Sequence, residues 1–277
     1  MSTASGNRID TRLAQRRGEG RAALIPFVTA GDPSLESTVP IMNALVAAGA
    51  DLIELGVPFS DPMADGPVIQ QSSERALARG VDLGAVLAMV RDFRRHDADT
   101  PVVLMGYLNP IEIHGLARFS DEARVAGVDG VLLVDCPVEE AAPIDAELQS
   151  RGLRRIALVS PTTPLERAGR IAAQASGFLY CVSLAGVTGA GSLRPAEVRE
   201  RIRELRTVAT LPLAVGFGVK DADSAARIAG FADAVVIGSA LVQRLAGAQD
   251  AAQAAGLACE FLAPIRAAVD APGVRPA

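Results

Sequence analysis

The chain has 277 residues, 49% of them hydrophobic and 21% charged, a globular balance far from that of a disordered chain. Its formal net charge of −5 argues against a surface for nucleic acid or anionic membrane. There is no Trp, Lys220 is the single lysine, and His96 and His114 are the only histidines. A Schiff-base lysine therefore has one candidate, and a histidine-rich metal site has almost none.

The three cysteines, Cys136, Cys181 and Cys259, are scattered and form no CxxC pair, which reads as reduced thiols in a cytoplasmic protein. The opening MSTASGNRIDTRLAQRR carries no apolar core of a secretory signal. No apolar run approaches the ~20 residues of a membrane span. The length is ample for a large buried core without a disulfide or metal staple.

Residues 7–18 read as an extra helix closing the bottom of a barrel. Eight short apolar runs follow, at 22–29, 51–56, 101–107, 130–135, 155–160, 177–183, 211–217 and 233–238. Most are continuous rather than alternating, as parallel strands covered on both faces should be. Between them lie amphipathic stretches such as 35–49, 82–96, 139–151 and 164–175, each long enough for a crossover helix. Gly49 ends the first of these, and Thr163-Pro164 and Arg194-Pro195 place proline in first turns. Eight β-then-α units predict an α/β fold, a (β/α)8 TIM barrel with an extra N-terminal helix. A doubly wound open sheet is the alternative, but it usually has fewer strands, and no GxGxxG follows the first one. No linker or composition shift appears, so 1–277 reads as a single domain, with a frayed APGVRPA tail. Two connections look oversized, from Gly56 to about Gly80 and from Leu184 to about Arg194. In a barrel, long loops after strands are where chemistry is expected.

Glu54 lies inside an otherwise apolar strand. Pointing inward it would be a desolvated carboxylate with a raised pKa, suited to proton transfer near neutral pH. The alternative is a structural Glu paired with an Arg or with backbone amides. The loop after it adds Asp61 and Asp65 within Pro- and Gly-constrained backbone, and two carboxylates in different environments are a common acid/base arrangement. Turn chemistry explains an Asp beside Pro or Gly equally well, above all for Asp61. The segment Ser183 to Gly191 has three glycines in six residues, as a mobile lid or an amide-lined anion nest would, and as a plain flexible loop would. Gly216-Phe217-Gly218 after strand seven and Gly238-Ser239 after strand eight stand where barrels often build phosphate sites. Lys220 reads as a solvated helix-start residue and His96 as a surface residue, while His114 has no partner His near it. Metal-free acid/base chemistry by carboxylates is what remains for a phosphorylated substrate.

These residues carry a family resemblance. The segments are Phe27 to Pro33, Glu54 to Pro62 with Ala64-Asp65-Gly66-Pro67, Met105 with Tyr107 and Asn109-Pro110, Asp135 with Pro137, Tyr180, Gly186-Val187-Thr188-Gly189, Gly216-Phe217-Gly218 and Gly238-Ser239. In this order they make the chain resemble the alpha subunit of tryptophan synthase over nearly its full length, and the LGVPFSDPxADGP run is the most specific of them.

The resemblance implies cleavage of indole-3-glycerol phosphate to indole and glyceraldehyde 3-phosphate, with Glu54 and Asp65 as the catalytic carboxylates. Glu54 would move protons at indole C3 and from the glycerol hydroxyl; Asp65 would hold the indole N–H. Thr188 would be the lid threonine that meets Asp65, and Tyr180 would line the substrate site. Phe27, Tyr107 and Phe217 would shape the indole pocket, with the phosphate on amides around Gly189, Gly218, Gly238 and Ser239. The resemblance also implies a beta subunit that carries pyridoxal phosphate, receives indole and completes an alpha2-beta2 tetramer. This chain itself would bind neither pyridoxal phosphate nor metal. The partner would contact the loop from Pro58 to Asp65 and the lid. Leu184 and Gly106 depart from residues that some members carry. A different metal-free barrel lyase or isomerase, a stand-alone indole-3-glycerol phosphate lyase and a non-catalytic phosphate-binding regulatory subunit are the competing readings.

Overall fold

The computed structural model describes residues 6–182, 195–216 and 218–271. Eight strands run β1 (Ala23–Thr29), β2 (Ile53–Gly56), β3 (Val102–Gly106), β4 (Gly130–Leu133), β5 (Arg154–Val159), β6 (Leu179–Val182), β7 (Leu213–Gly216) and β8 (Ala234–Ile237). All neighbours pair parallel, and β8 pairs β1, so the sheet closes into a (β/α)8 barrel and the open-sheet alternative falls away. The helices are α1 (Arg8–Gly18), α2 (Thr38–Ala47), α3 (Pro67–Leu77), α4 (Leu83–Phe93), α5 (Leu108–His114), α6 (Leu116–Ala126), α7 (Ala141–Ser150), α8 (Leu165–Gln174), α9 (Pro195–Leu205), α10 (Ala222–Ala229), α11 (Ser239–Leu245) and α12 (Ala251–Val269).

The predicted strands appear within two residues of their expected bounds. The stretch 35–49 divides into a 3-10 turn, Leu35–Ser37, and α2. Gly49 stops it at φ +97°, and a Cβ there would lie 2.6 Å from Cγ of Arg266 on α12. Left-handed backbone and close packing both demand glycine. The oversized connection from Gly56 to Gly80 is corrected. It is a loop at 57–66 followed by α3, which opens with Pro67 in its first turn. The second one, at 184–194, lies outside the described residues, as do Arg194, Phe217 and the tail at 272–277.

Two apolar cores follow from the pleat. Residues of one parity along each strand, such as Leu24, Ile53, Leu104 and Val131, pack outward against the helices. Residues of the other parity, such as Ile25, Leu52, Val103, Leu132 and Ile156, fill the barrel. Helix α1 plugs the bottom as expected. Asn7 caps it by accepting from the Ile9 N–H, and Ile9 and Leu13 are buried among the interior residues.

The bottom rim carries a device repeated four times. Before each even strand, one polar residue exchanges two bonds with a residue near the start of the preceding odd strand. The Asp51 N–H donates to the Leu24 carbonyl at 2.8 Å, and Asp51 Oδ2 accepts from the Leu24 N–H at 2.8 Å. Asp129 makes the same clamp on Val102 (2.9 and 2.9 Å) and Asp233 on Leu213 (2.9 and 2.8 Å). Before β6 the residue is Ser176, which clamps Arg155 through its Oγ (3.0 and 2.9 Å). Each acid is also paired with arginine: Asp51 with Arg16 and Arg266, Asp129 with Arg8 and Arg94, and Asp233 with Arg206. Arg8 and Arg16 belong to α1, so the clamps also hold the plug. The bonds satisfy strand N–H groups that have no ladder partner at the barrel rim. Among the described residues, no helix is long and apolar enough to cross a membrane.

Truncating a charged clamp should cost far more than truncating the neutral one. Asp129→Ala strands two arginines beside an unpaired Val102 N–H and is expected to lose about 3–5 kcal/mol. Ser176→Ala should lose about 1 kcal/mol. Urea unfolding midpoints at equal slope measure both, and equal losses would count against the charged clamps.

Candidate active site

Register decides what the barrel mouth contains. Phe27 of β1, Glu54 of β2 and Val103 of β3 lie level. Glu54 shares the inward parity of Leu52, two residues below it. It is only 1% exposed, and neither carboxylate oxygen has a hydrogen-bond partner among the described residues. Among the described residues, no Arg and no backbone amide pairs with it. Burial, reinforced by the nearby charge of Asp65, pushes its carboxyl up to about 8. At neutral pH it is mostly the protonated acid.

Asp65 reaches the same space from the loop at 57–66. Its Oδ2 accepts a hydrogen bond from Tyr107 Oη at 3.2 Å, and the same hydroxyl accepts from the Ala64 N–H at 3.0 Å. Burial raises the Asp65 carboxyl, and the Tyr107 hydrogen bond opposes the shift. Tyr107 precedes α5 and stacks on Phe59, with ring centroids 4.9 Å apart. The Asp61 carboxylate accepts from neighbouring Ser60 at 2.5 Å, and its carbonyl accepts from the Met63 N–H, so among the described residues Asp61 serves the turn. The two carboxyls differ in kind: one is unpartnered in an apolar layer, and the other is oriented by a phenol.

The aromatic residues fit against glycines. A Cβ on Gly56 would lie 2.6 Å from Cζ of Phe27, and one on Gly216 would lie 2.2 Å from the Tyr180 hydroxyl. Tyr180 is buried, and burial with the neighbouring Glu54 charge raises its hydroxyl well above the usual phenol range. A cleft of about 720 Å³ opens beside them, its inner wall made by Met105, Val134, Leu158 and Val182 with Asp65 and Gly216. The sequence did not single out Val134 and Leu158, and it named Met105 only within the family resemblance. The signal was parity, since each stands one inward step above a barrel-filling residue.

Gly218 follows β7 at φ +56°, and a side chain there would meet open space. Gly238 precedes α11, which starts at the exposed Ser239. Strands β7 and β8 are neighbours, so both turns emerge side by side, as the sequence predicts. The first N–H groups of α11 have no partner within the helix. Lys220 is exposed and follows this turn, as expected of a solvated lysine. His96 is exposed, and His114 bonds Glu122 at 2.8 Å. Thr188, Gly189 and Phe217 lie outside the described residues. Among the described residues, no group of three His, Cys, Asp or Glu could hold a metal ion.

A neutral carboxylic acid facing an ionisable partner carboxylate in an apolar cavity can donate a proton, accept it back and stabilise a cation formed between them. The profile of the family described as "Tryptophan synthase alpha chain" matches residues 13–268. The chain is similar to the tryptophan synthase alpha chain of Xanthomonas oryzae pv. oryzae, strain MAFF 311018, at 61% identity over 95% of this chain and 98% of that one. It is 58% identical to the alpha chain of Xylella fastidiosa, strain M12, over 96% and 99%. Its fold is similar to the crystal structure of tryptophan synthase subunit alpha from Legionella pneumophila str. Paris. The TM-score there is 0.90 at 45% identity, covering 96% of this chain and 99% of that one. Profile, relatives and fold coincide along almost the whole length, and the chain belongs to the tryptophan synthase alpha chain family, lyases of tryptophan biosynthesis.

Proposed function

We propose that this lyase cleaves indole-3-glycerol phosphate to indole and glyceraldehyde 3-phosphate by metal-free acid/base chemistry. The observation that carries the reading is the buried carboxyl of Glu54, unpartnered among the described residues and beside Asp65. The indole ring sits in the cleft against Phe27, Tyr107, Tyr180 and Phe217, with its N–H on Asp65. The protonated Glu54 gives its proton to indole C3, using the ring's C2–C3 π pair and leaving a cation spread onto the ring nitrogen. Ionised Asp65 stabilises that cation. The Glu54 carboxylate then takes the proton of the hydroxyl on the side-chain carbon bonded to C3. The O–H pair becomes the carbonyl, the C–C bond breaks, and its pair returns to the ring. Indole and the aldehyde leave, and Glu54 is protonated again. Each proton transfer is worth roughly 10²–10⁴-fold.

The phosphate rests on backbone amides around Gly189, Gly218, Gly238 and Ser239, and Thr188 is the partner of Asp65. The step needs no cofactor in this chain; pyridoxal phosphate belongs to the beta partner, which takes the indole. The chain works as one domain, in the cytoplasm, within an alpha2-beta2 tetramer. The partner surface is supported by two apolar side chains on the same end of the barrel, Met63 at 86% exposure after β2 and Ile113 at 80% after neighbouring β3.

Glu54→Gln keeps the shape and removes the proton. Indole release should fall at least about 10³-fold with substrate binding nearly unchanged. The same change should stabilise the fold. Native Glu54 stays protonated up to about pH 8, whereas the unfolded side chain ionises near 4.5. Wild-type stability therefore falls as pH rises between those values, by about 1.4 kcal/mol per unit, or about 3 kcal/mol at pH 7. The Glu54→Gln variant escapes that loss, so urea midpoints of the two should diverge from pH 4.5 to 7. Undiminished turnover would remove Glu54 from the mechanism.

The cycle starts from protonated Glu54 and ionised Asp65, so the pH–rate profile should be a bell with its alkaline limb near 8. A rate still climbing at about pH 9 would contradict that order of protonation. With the beta subunit added, indole release should rise, and Ile113→Asp should weaken co-purification without changing release by the isolated chain. Fast release that ignores the partner would point to a stand-alone lyase.

A further inference from the structure

Among the described residues, two side chains from outside the loop bond to it at Ala64 and Asp65, and only one of them is Tyr107. The Gln70 side chain, on the first turns of α3, folds back toward the loop. Its Nε2 donates to the Asp65 carbonyl at 2.8 Å and points at the Pro62 carbonyl at 3.4 Å. Both partners are carbonyl oxygens, so the amide nitrogen must face them; the flipped amide would set oxygen against oxygen.

Helix α3 is itself tied to the frame that holds Glu54. Fully buried Ser72 bonds Thr29, the last residue of β1, Oγ to Oγ1 at 2.7 Å, and also donates to the Ile69 carbonyl at 2.8 Å. Arg75 forks onto buried Asp32 through Nε at 2.7 Å and Nη2 at 2.8 Å. The Ala30 N–H donates to the Gly56 carbonyl at 3.0 Å, closing β1 onto β2 two residues past Glu54. Tyr107 alone would leave the loop free to swing about Ala64. The second fixed point, on the Asp65 carbonyl, removes that freedom.

We infer that Gln70 is a positioning residue for the reaction, holding Asp65 at its working distance from Glu54 by transmitting the position of the β1 terminus through α3. The inference rests on the proposed roles of Glu54 and Asp65. Gln70 does not touch substrate; it fixes the backbone of the residue that does. A misplacement of about 1 Å in such a group can cost up to about a hundredfold in rate.

The test uses the full chain with Gln70→Met and Gln70→Glu. Both keep a long unbranched side chain on the helix, and each removes the amide donor. Indole release should fall about tenfold to a hundredfold in kcat, with KM within about threefold of the unaltered chain. Carboxyl 13C NMR titration reads position without relying on turnover. In Gln70→Met, Asp65 moves off and the Glu54 titration should fall below about 8 by the smaller part of its shift that the Asp65 charge supplies, while burial keeps it above the ordinary carboxylate range. Gln70→Glu can donate only while protonated, so its deficit should deepen as pH rises through the carboxylate range, and that of Gln70→Met should not. A Glu54 titration that does not move overturns the inference, whether or not turnover falls. Absence of indole release by the unaltered chain would instead sink the proposed reaction, and the titration would still decide the part of Gln70.

Discussion

A closed barrel gives each strand two faces, and register decides which side chain falls on which. At β2 the inward positions Leu52, just before the strand, and Glu54 within it stand two residues apart on one face. Leu52 lies in the apolar filling above the plug of α1, and Glu54 lies one layer higher, where the filling ends. A slip of one residue would turn Ile53 inward and send Glu54 into the helix layer. The paired strands on either side, with Phe27 and Val103 level with Glu54, prevent that slip. The four clamps at the lower rim fix the same register from below, because each ties a residue before an even strand to one fixed partner in the odd strand before it. The position of the carboxylate at the mouth is therefore set by polar contacts at the opposite end of the molecule.

The buried acids at the two ends are treated in opposite ways. Asp51 and Asp129 are each clamped to a strand N–H and flanked by arginines, so their charge is compensated where it is buried. Among the described residues, neither an arginine nor an amide bonds Glu54. Desolvation at the lower rim is offset by pairing; at the mouth it is left to act on the proton. A fold selected for stability alone would fill the Glu54 position with a hydrophobe, as it does at Leu52. The disagreement between local stability and residue type is what marks the mouth as the place of chemistry.

Much of this was legible in the sequence because parallel strands buried on both faces read as continuous apolar runs, and the eight runs map onto eight strands. Glu54 stood out because it interrupts such a run. Its environment was not legible, since nothing in the run tells inward from outward, and the choice between paired and unpaired carboxylate needed the packed barrel. Helix α3 was missed because Gly66-Pro67 and Ser72-Ser73 look like loop residues, although Ser72 is buried against Thr29 and Pro67 simply opens the helix. The pocket walls Val134 and Leu158 were missed, and Met105 was named only through the resemblance, because an apolar residue in a strand carries no sign that it faces a cavity. Gln70 was invisible for a different reason: a glutamine near a helix start is ordinary, and its meaning lies wholly in which two carbonyls it reaches.

On the proposed reading, the two carboxyls need different mechanical supports. The group whose proton affinity must be tuned benefits from a rigid, dry surrounding, and Glu54 is placed on a strand. The group that grips the substrate must let substrate in and product out, and Asp65 is placed on a loop. A loop alone holds position poorly, so that mobility would cost the alignment on which the cation's stabilisation depends. Tyr107 from the β3 side and Gln70 from α3 hold the loop at adjacent residues, Ala64 and Asp65. Both anchors work through uncharged side chains, whose hydrogen bonds to backbone groups are easier to break and remake than the charged clamps of the lower rim. The barrel thus keeps its strong, paired charges where nothing has to move and its weaker bonds where the reaction requires opening.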